Sequence, residues 1–193
     1  MIVRNIKLSG IRYLRITYSL LLLVMFILPF FSDDAYSIIK NTTSHLGAQN
    51  SPNAWIMNIT FILVGMSCII EAFLRLKRLW FQRIVLCIFG LSFAFTGIFR
   101  HAPIIEGIPF DLMEDKLHSV FASIVGFSFT IFAISTAFIE KKTMLRALAV
   151  IAGVTATILS IMMSFLPPYS GIWQRMILVV SFCWLIFMLE GTN

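Results

Sequence analysis

The three histidines are the side chains of this sequence that are best suited to chemistry. His45, His101 and His118 lie in separate polar stretches, each close to a long apolar run. Imidazole exchanges protons near neutral pH and is the commonest metal ligand. Asp115 precedes His118 by about one helical turn. A carboxylate in that position can orient an imidazole, raise its pKa or share a metal ion with it.

Two kinds of reactive site can be drawn from these residues. A metal site made of His45, His101, His118 and Asp115 would suit zinc with an open position for water, although no HExxH spacing is present. A nucleophilic site would use Ser44 as nucleophile, His118 as its base and Asp115 as the residue that orients the base. No GxSxG motif surrounds Ser44. The sequence therefore leaves the chemistry and the cofactor open.

A noncatalytic pocket requires fewer coincidences. Arg175 lies at the start of the last apolar run, directly after Gln174. Its planar guanidinium suits a phosphate or a carboxylate, which it would bind together with His118. The alternative interpretation of Arg175 is a cation that extends into the headgroup layer beside an aromatic anchor.

Several acidic residues have a structural interpretation. Asp111 with Glu114 three positions later matches a capping box, which predicts that a helix begins at this point. For Asp115 the alternative is a solvated acid in the first turn that complements the helix dipole. Glu71 is expected to pair with Arg75 one turn later on the same helix.

The elements that must position these residues are membrane-spanning helices. Of the 193 residues, 59% are hydrophobic and only 12% are charged, against about a quarter charged in soluble proteins. The continuous apolar runs are long enough to cross about 30 Å of hydrocarbon as helices. We predict an all-α bundle forming a single domain over residues 1–193. Its six spans are Ile11–Phe31, Asn53–Phe73, Ile84–Phe99, Asp115–Ile139, Ala147–Leu166 and Trp173–Leu189.

The basic residues predict the orientation of these spans. Eleven of the 15 Lys and Arg residues flank one side of the predicted spans. The positive-inside rule then puts both termini in the cytoplasm and the three histidines at the outer boundary. Topology thereby explains the net charge of +6, and no nucleic-acid partner is indicated. The four cations on the outer side are Lys40, Arg100, Lys116 and Arg175.

Other features narrow the function. No internal repeat and no span broken by proline is visible, which argues against a small transporter, the second alternative. The three cysteines lie singly within predicted spans, so neither a disulfide framework nor a thiolate metal motif is indicated. The prolines and the long polar segments fall on the outer side, where loops over a helical scaffold commonly hold binding sites.

Short motifs occur in a characteristic order over nearly the whole chain. They are Thr43-Ser44-His45-Leu46-Gly47, Pro52-Asn53-Ala54 with Asn58, Gly65, Gly97-Ile98-Phe99, His118-Ser119 with Ala122, and Gly171-Ile172-Trp173-Gln174-Arg175. Together they resemble a bacterial and archaeal family of six-helix membrane proteins, the domain-of-unknown-function family nine-nine-eight. The resemblance implies a bacterial or archaeal cell membrane and the same topology, and it implies no activity.

The resemblance also ranks the candidate residues. It disfavours His101, because relatives more often have a proline where this chain has Arg100-His101. It favours Ser44, His118 and Arg175. Taken together with the residues themselves, it gives Ser44, His118 and Asp115 as candidates for catalysis, and Arg175, His45 and Asn58 for ligand binding.

Our leading hypothesis from the sequence is an integral membrane protein with a polar pocket at its outer face. The pocket binds, or also processes, an anionic lipid headgroup or a small ligand, and membrane lipids are the expected partners. The alternative is a metal-dependent membrane hydrolase, with zinc as the candidate metal.

Overall fold

The protein is helical throughout residues 12–191, the part of the chain that the computed structural model describes. No β-strand occurs among these residues. Short 3-10 turns at Leu28–Phe31 and Pro167–Tyr169 adjoin two of the helices. The α-helices in this range are α1 (Tyr13–Ile27), α2 (Thr43–Leu46), α3 (Ala54–Arg75), α4 (Trp80–Ile98), α5 (Leu112–Ile139), α6 (Thr143–Phe165) and α7 (Ser170–Gly191).

Every described helix except the short α2 is long and apolar enough to cross a membrane. The predicted all-α bundle of six spans is therefore confirmed. The helix ends differ from the predicted ones by up to four residues. The largest differences are at the starts of α4 (Trp80 instead of Ile84) and α6 (Thr143 instead of Ala147) and at the end of α1 (Ile27 instead of Phe31). The predicted start of the first span at Ile11 lies outside the described residues.

Helix α5 begins where the capping argument predicted. The carboxylate of Asp111 accepts hydrogen bonds from the backbone N–H groups of Met113 (2.8 Å) and Glu114 (3.1 Å). The predicted N-cap is thus confirmed, because this is the contact that defines it. The 28 residues of α5 give a length of about 42 Å, more than the hydrocarbon core of about 30 Å requires. Its first turns therefore have room to stand at the membrane surface.

The two ends of the bundle differ in character. The first, here called the loop end, carries the long segments 28–53 and 99–111 and the turn 166–170. The second, the basic end, carries the tight turns 76–79 and 140–142, which are rich in Lys and Arg. Arg4 and Lys7, which contributed to the predicted orientation, lie outside the described residues. Which end faces the cytoplasm remains a prediction from the positive-inside rule.

Aromatic side chains hold the centre of the bundle. Phe182 of α7 meets Phe93 of α4 with ring centres 5.4 Å apart, and Tyr18 of α1 stacks on the same Phe182 at 5.4 Å. Trp184 of α7 meets Phe129 of α5 edge-on at 5.8 Å. Because α7 contacts α1, α4 and α5, its first residues are held in a defined position at the loop end.

Helices α3 and α4 cross at two glycines. A Cβ added to Gly65 would lie 2.3 Å from the carbonyl oxygen of Gly90, and one added to Gly90 would lie 2.5 Å from the carbonyl oxygen of Gly65. Such a close backbone approach is how small residues associate membrane helices. The crossing fixes the direction in which α4 enters the 99–111 segment.

Ion pairs close the basic end. Glu71 and Arg75 form the expected pair on α3, with only 4% and 6% of their side chains exposed. Arg12 and Arg15 both reach Glu190 and so join α1 to α7. These contacts lie at the end opposite the histidines, so they stabilise the bundle without touching the candidate site.

Candidate functional site

Four of the residues predicted from the sequence meet at the loop end. We call His45, His101, His118 and Asp115 the histidine cluster. The ring centres of His45 and His101 are 4.6 Å apart, and those of His101 and His118 are 5.2 Å apart. Nδ1 of His101 lies 3.2 Å from Oδ1 of Asp115. Side chains from α2, from the 99–111 segment and from α5 therefore form one continuous polar group.

The N-terminal cap of α2 fixes His45. The backbone N–H of Thr42 donates to Nδ1 of His45 at 3.1 Å, and the Thr42 hydroxyl contacts the same nitrogen at 2.8 Å. His45 is the third residue of this four-residue helix, so the two residues complete a capping box. Since Nδ1 is engaged by Thr42, Nε2 is the ring nitrogen that remains for other partners.

His118 is fixed by the end of α4. Its side chain is buried, and Nδ1 donates to the carbonyl oxygens of Thr96 (3.0 Å) and Phe99 (2.8 Å). Carbonyls in the last turn of a helix lack partners within the helix, so His118 satisfies groups that α4 leaves open. Because a carbonyl oxygen only accepts, the proton resides on Nδ1, and Nε2 carries the lone pair.

His101 is the central and most open histidine of the cluster. Its side chain is 30% exposed, and that of Asp115 is 21% exposed. Oδ1 of Asp115 accepts a 2.7 Å hydrogen bond from the backbone N–H of Ala102, which fixes the carboxylate. Nδ1 of His101 is buried but its contact with Asp115 is not aligned as a hydrogen bond. A small rotation of the ring would align it and create the pairing of a base with its orienting carboxylate.

His45 is the member of the histidine cluster that is uncharged at neutral pH. Burial, together with the neighbouring His101 and His118, lowers the pKa of His45 to about 4, and Asp115 acts in the opposite direction. Desolvation disfavours the charged form of an imidazole, and so does a second positive charge nearby. At neutral pH His45 is therefore uncharged. A neutral imidazole can accept a proton or bind a metal ion, but it does not attract an anion.

Gln49 joins the two loops that carry the cluster. It is buried, and its amide nitrogen donates to the carbonyl oxygens of Arg100 (3.2 Å) and Asp111 (2.9 Å). Its amide oxygen accepts from the Asp111 N–H at 2.8 Å, and its backbone N–H donates to the carbonyl of His101 at 2.9 Å. Sequence reasoning missed this residue, because nothing in its type or spacing distinguishes it from any other loop amide.

Arg175 lies in a separate group of contacts. Its side chain is 5% exposed, and Nη1 donates to the carbonyl oxygens of Ile38 (3.0 Å), Asn41 (3.1 Å) and Gly171 (2.9 Å). Nη2 donates to the hydroxyl of Tyr36 at 2.7 Å. The protein itself engages the guanidinium, so the geometry favours a structural role. The predicted binding of an anion by Arg175 remains untested.

The neighbours of Arg175 hold the same loop. Oε1 of Gln174 accepts from both the N–H and the hydroxyl of Thr43, each at 2.6 Å. The N–H of Gly171 donates to the carbonyl of Ile39 at 3.0 Å, and a Cβ at Gly171 would lie 2.2 Å from the carbonyl oxygen of Ile38. We call Gly171, Gln174 and Arg175 the loop anchor, since they tie residues 36–43 to the start of α7.

The histidine cluster and the loop anchor contain the motifs that gave the sequence its family resemblance. The family model described as "Protein of unknown function (DUF998)" matches residues 17–189. The chain belongs to the DUF998 family. Together with its six candidate spans, this makes it a multi-pass integral membrane protein. No curated protein and no solved structure matches the chain.

Further motif residues of this DUF998 protein shape the loop end. The side-chain amide of Asn58 donates to the carbonyl of Gly47 at 3.0 Å. A Cβ added to Gly47 would lie 2.1 Å from Oδ1 of Asn58, and one added to Gly97 would lie 2.4 Å from the carbonyl oxygen of Asn58. Asn58 therefore connects the end of α2 to α3 and packs against α4. Its role in ligand binding stays a prediction.

Ser44 occupies a position between the two groups of contacts. It is buried, and its neighbours in sequence are Thr43, which contacts the loop anchor, and His45, which belongs to the histidine cluster. Within residues 12–191 its hydroxyl has no hydrogen-bond partner, so the pair with His118 that a nucleophile requires is not formed. The nucleophilic role of Ser44 stays a prediction.

The arrangement of the cluster bears on the predicted zinc site. Three histidines around tetrahedral zinc, with Zn–N distances of about 2.0 Å, have ring centres about 5 Å apart, and the cluster comes close to that spacing. In the described part of the chain, however, no group of three or more His, Cys, Asp or Glu residues is placed to hold a metal ion. Zinc binding would therefore require at least one ring to turn.

Proposed function

We propose that this protein binds an anionic lipid headgroup or a small ligand at the loop end of the bundle and processes it by proton transfer in the histidine cluster. One observation carries the proposal: the partly exposed His101 lies between two fixed histidines, with its Nδ1 3.2 Å from the carboxylate of Asp115. That is the composition of a general base with an orienting acid. The positive-inside rule assigns this site to the extracytoplasmic face.

His101 is the proposed base. His45 and His118 each have Nδ1 engaged by the protein, whereas the buried Nδ1 of His101 has no hydrogen-bond partner among the described residues. When Nε2 of His101 accepts a proton from the ligand, Nδ1 becomes one of two N–H donors of an imidazolium. Asp115 stabilises that cation, since an opposite charge within about 4–6 Å favours the charged form. The Ala102 N–H keeps the carboxylate in place.

The cations that would attract an anionic ligand differ from the one that the sequence suggested, Arg175. Arg175 is engaged by backbone carbonyls, and Arg100 forms a two-point ion pair with Glu114. Lys40 and Lys116 are exposed and have no ion-pair partner in the described residues. We assign the attraction of a negatively charged headgroup to these two lysines, which are free to move toward it.

The test uses two kinds of substrate and one matched pair of variants. Purified protein is incubated with vesicles of phosphatidylglycerol or of phosphatidylcholine. In separate assays it is incubated with soluble p-nitrophenyl phosphate or p-nitrophenyl acetate. We expect product by lipid mass spectrometry or absorbance for one of these four. His101→Asn and Asp115→Asn then lower the rate by about 100-fold or more, as expected on loss of general acid–base catalysis.

The matched control is Arg100→Gln, which removes an exposed charge next to His101 and leaves the cluster in place. It retains most of the rate. Equal rates for wild type and His101→Asn would refute the assignment of the base. Absence of turnover with all four substrates would reduce the proposal to binding, which the same vesicles test by cosedimentation.

A zinc-dependent hydrolase is the second candidate. One feature favours it: Nδ1 of His118 is engaged by backbone carbonyls and that of His101 faces a carboxylate, which leaves Nε2 of these two rings as potential ligands. Metal-binding histidines are usually oriented in this way. The candidate predicts zinc in the purified protein by mass spectrometry and its loss in His118→Ala. A metal-free preparation that stays folded and active would remove it.

A further inference from the structure

A groove runs between α5 and α6 at the basic end, far from the histidine cluster. Its volume is about 500 Å³, within the range of about 300–1,000 Å³ typical of ligand sites. Apart from Thr143 and Arg146 its lining is apolar, and Phe138 and Ile151 on its walls are 78% and 57% exposed. The lining residues are Ile134, Ala137, Phe138, Thr143, Arg146, Ala147, Val150 and Ile151.

Arg146 is oriented by one contact and otherwise unpaired. Its Nε donates to the carbonyl of Ala137 at 3.1 Å, which ties the guanidinium to the last turn of α5. In the described part of the chain it forms no ion pair, and its two Nη groups have no hydrogen-bond partner. Lys141 and Lys142 lie on the same turn, against a single carboxylate, that of Glu140. The groove therefore combines an apolar wall with an excess of positive charge at one end.

We propose that this groove binds an anionic phospholipid. An acyl chain lies along the apolar walls of α5 and α6, and the phosphate accepts hydrogen bonds from the Nη groups of Arg146. A guanidinium presents two parallel donors that match a phosphate. Because the apolar walls are exposed along two candidate membrane spans, a lipid of the bilayer can occupy the groove without leaving the membrane.

The position of the groove supports a lipid as its occupant. Helix α6 begins at Thr143, and the first backbone N–H groups of a helix lack internal partners, which adds partial positive charge beside Arg146. Basic pockets between membrane helices at the positively charged end are where anionic headgroups bind. The site is independent of the histidine cluster, and its test requires no assumption about the reaction there.

The contact between Arg146 and the lipid phosphate is tested by native mass spectrometry of the purified, delipidated protein with phosphatidylglycerol and with phosphatidylcholine. We expect the first phosphatidylglycerol to bind more tightly than the first phosphatidylcholine. Arg146→Gln weakens the first phosphatidylglycerol about fivefold, the effect of one cation near an anionic lipid. Arg146→Lys weakens it by a smaller factor, because the ammonium group keeps the charge and lacks the two parallel donors. Arg78→Gln removes one exposed charge from the turn between α3 and α4 at the same end, and it changes the affinity less than twofold.

The binding of the acyl chain in the groove is tested with Ala147→Phe, which fills the groove without changing the charge. We expect it to weaken the first phosphatidylglycerol by severalfold, while its melting temperature stays close to that of wild type. Equal losses in Arg146→Gln and Arg78→Gln would show diffuse attraction to the basic end and would overturn the proposal. An unchanged affinity in Ala147→Phe would overturn it as well. If Arg146→Gln does not fold, Arg146→Lys and Ala147→Phe decide the matter.

Discussion

The histidine cluster and the loop anchor lie at the same end of the bundle, yet their polar groups are satisfied to different degrees. In the loop anchor, the two Nη groups of Arg175 donate to five acceptors, although its Nε has no hydrogen-bond partner among the described residues, and Gln174 accepts twice from Thr43. In the histidine cluster, the ring of His101 is partly exposed and Nδ1 lacks a hydrogen bond. A buried guanidinium that is held through both Nη groups builds the structure, and a partly exposed ring with a free nitrogen can act on a ligand.

The difference assigns separate roles to residues that look equally functional in the sequence. A buried cation near a membrane boundary is a functional-site hypothesis by default. Here the cation, Arg175, donates hydrogen bonds to backbone carbonyls of the 36–43 loop and of α7. The loop it holds carries α2, and α2 carries His45. The loop anchor thus determines where one wall of the histidine cluster lies.

Removal of the guanidinium of Arg175 should have the largest effect on stability. Arg175→Ala removes every hydrogen bond of the guanidinium and leaves the carbonyl of Ile38 without a partner among the described residues, at about 1–3 kcal/mol for that group alone. We expect a loss of several kcal/mol and a melting temperature roughly 10 °C lower for the detergent-purified protein. Arg100→Gln, which breaks an exposed ion pair, should cost at most about 1 kcal/mol. Similar melting of the two variants would contradict the role of the loop anchor.

Two glycine substitutions should change the stability of the protein in opposite directions. In Gly171→Ala the new Cβ would lie 2.2 Å from the carbonyl oxygen of Ile38, so the backbone must shift at a cost of about 1–3 kcal/mol or more. In Gly126→Ala the new Cβ meets nothing within 4 Å, and alanine inside a helix should add about 0.5–1 kcal/mol of stability. Thermal melting in one detergent measures both. Equal effects would show that the loop anchor tolerates expansion.

The fold was predictable because the membrane imposes long apolar helices, whose length and composition are visible in the sequence. The start of α5 was predictable for a local reason: Asp111 caps N–H groups only two and three residues away. The role of Arg175 was not predictable, since its acceptors are mainly backbone carbonyls and any sequence could supply those. Nothing in the spacing of Arg175 and Ile38 along the chain indicates that they meet.

The candidate site was predictable in part. Topology predicted that all three histidines lie at one boundary, and the contacts of His45 with His101 and of His101 with His118 agree with it. The family resemblance ranked His101 below the others, yet His101 is the residue that joins the other two. Its position depends on the bonds that Gln49 makes across the two loops. Such long-range contacts of a loop leave no pattern in the sequence.

Acid should lower the stability of the folded protein because of His45. Its pKa in the folded protein is about 4, below the ordinary 6.5, so the unfolded chain takes up the proton first as the pH falls. The contribution of His45 is complete above pH 6.5 and is lost between pH 6.5 and 4, by up to about 3 kcal/mol. The titratable groups that face His45 are His101, His118 and Asp115.

The variant His45→Asn isolates that contribution, because the asparagine oxygen can accept the Thr42 N–H and does not titrate. We expect the melting temperature of wild type to fall more steeply than that of His45→Asn over the same pH range. Parallel curves would assign the acid sensitivity to other groups of the cluster.

His101 should be the residue of the cluster whose loss affects stability least. Its ring is 30% exposed and Nδ1 makes no hydrogen bond, so we expect His101→Asn to cost less than about 1 kcal/mol, as is usual when few contacts are lost. His118→Asn removes the cap from two carbonyls and should cost about 1–3 kcal/mol. Melting of both variants side by side gives the comparison. If His101→Asn proves as destabilising as His118→Asn, His101 has a structural role like that of Arg175. No histidine of the cluster would then be free to act on a ligand.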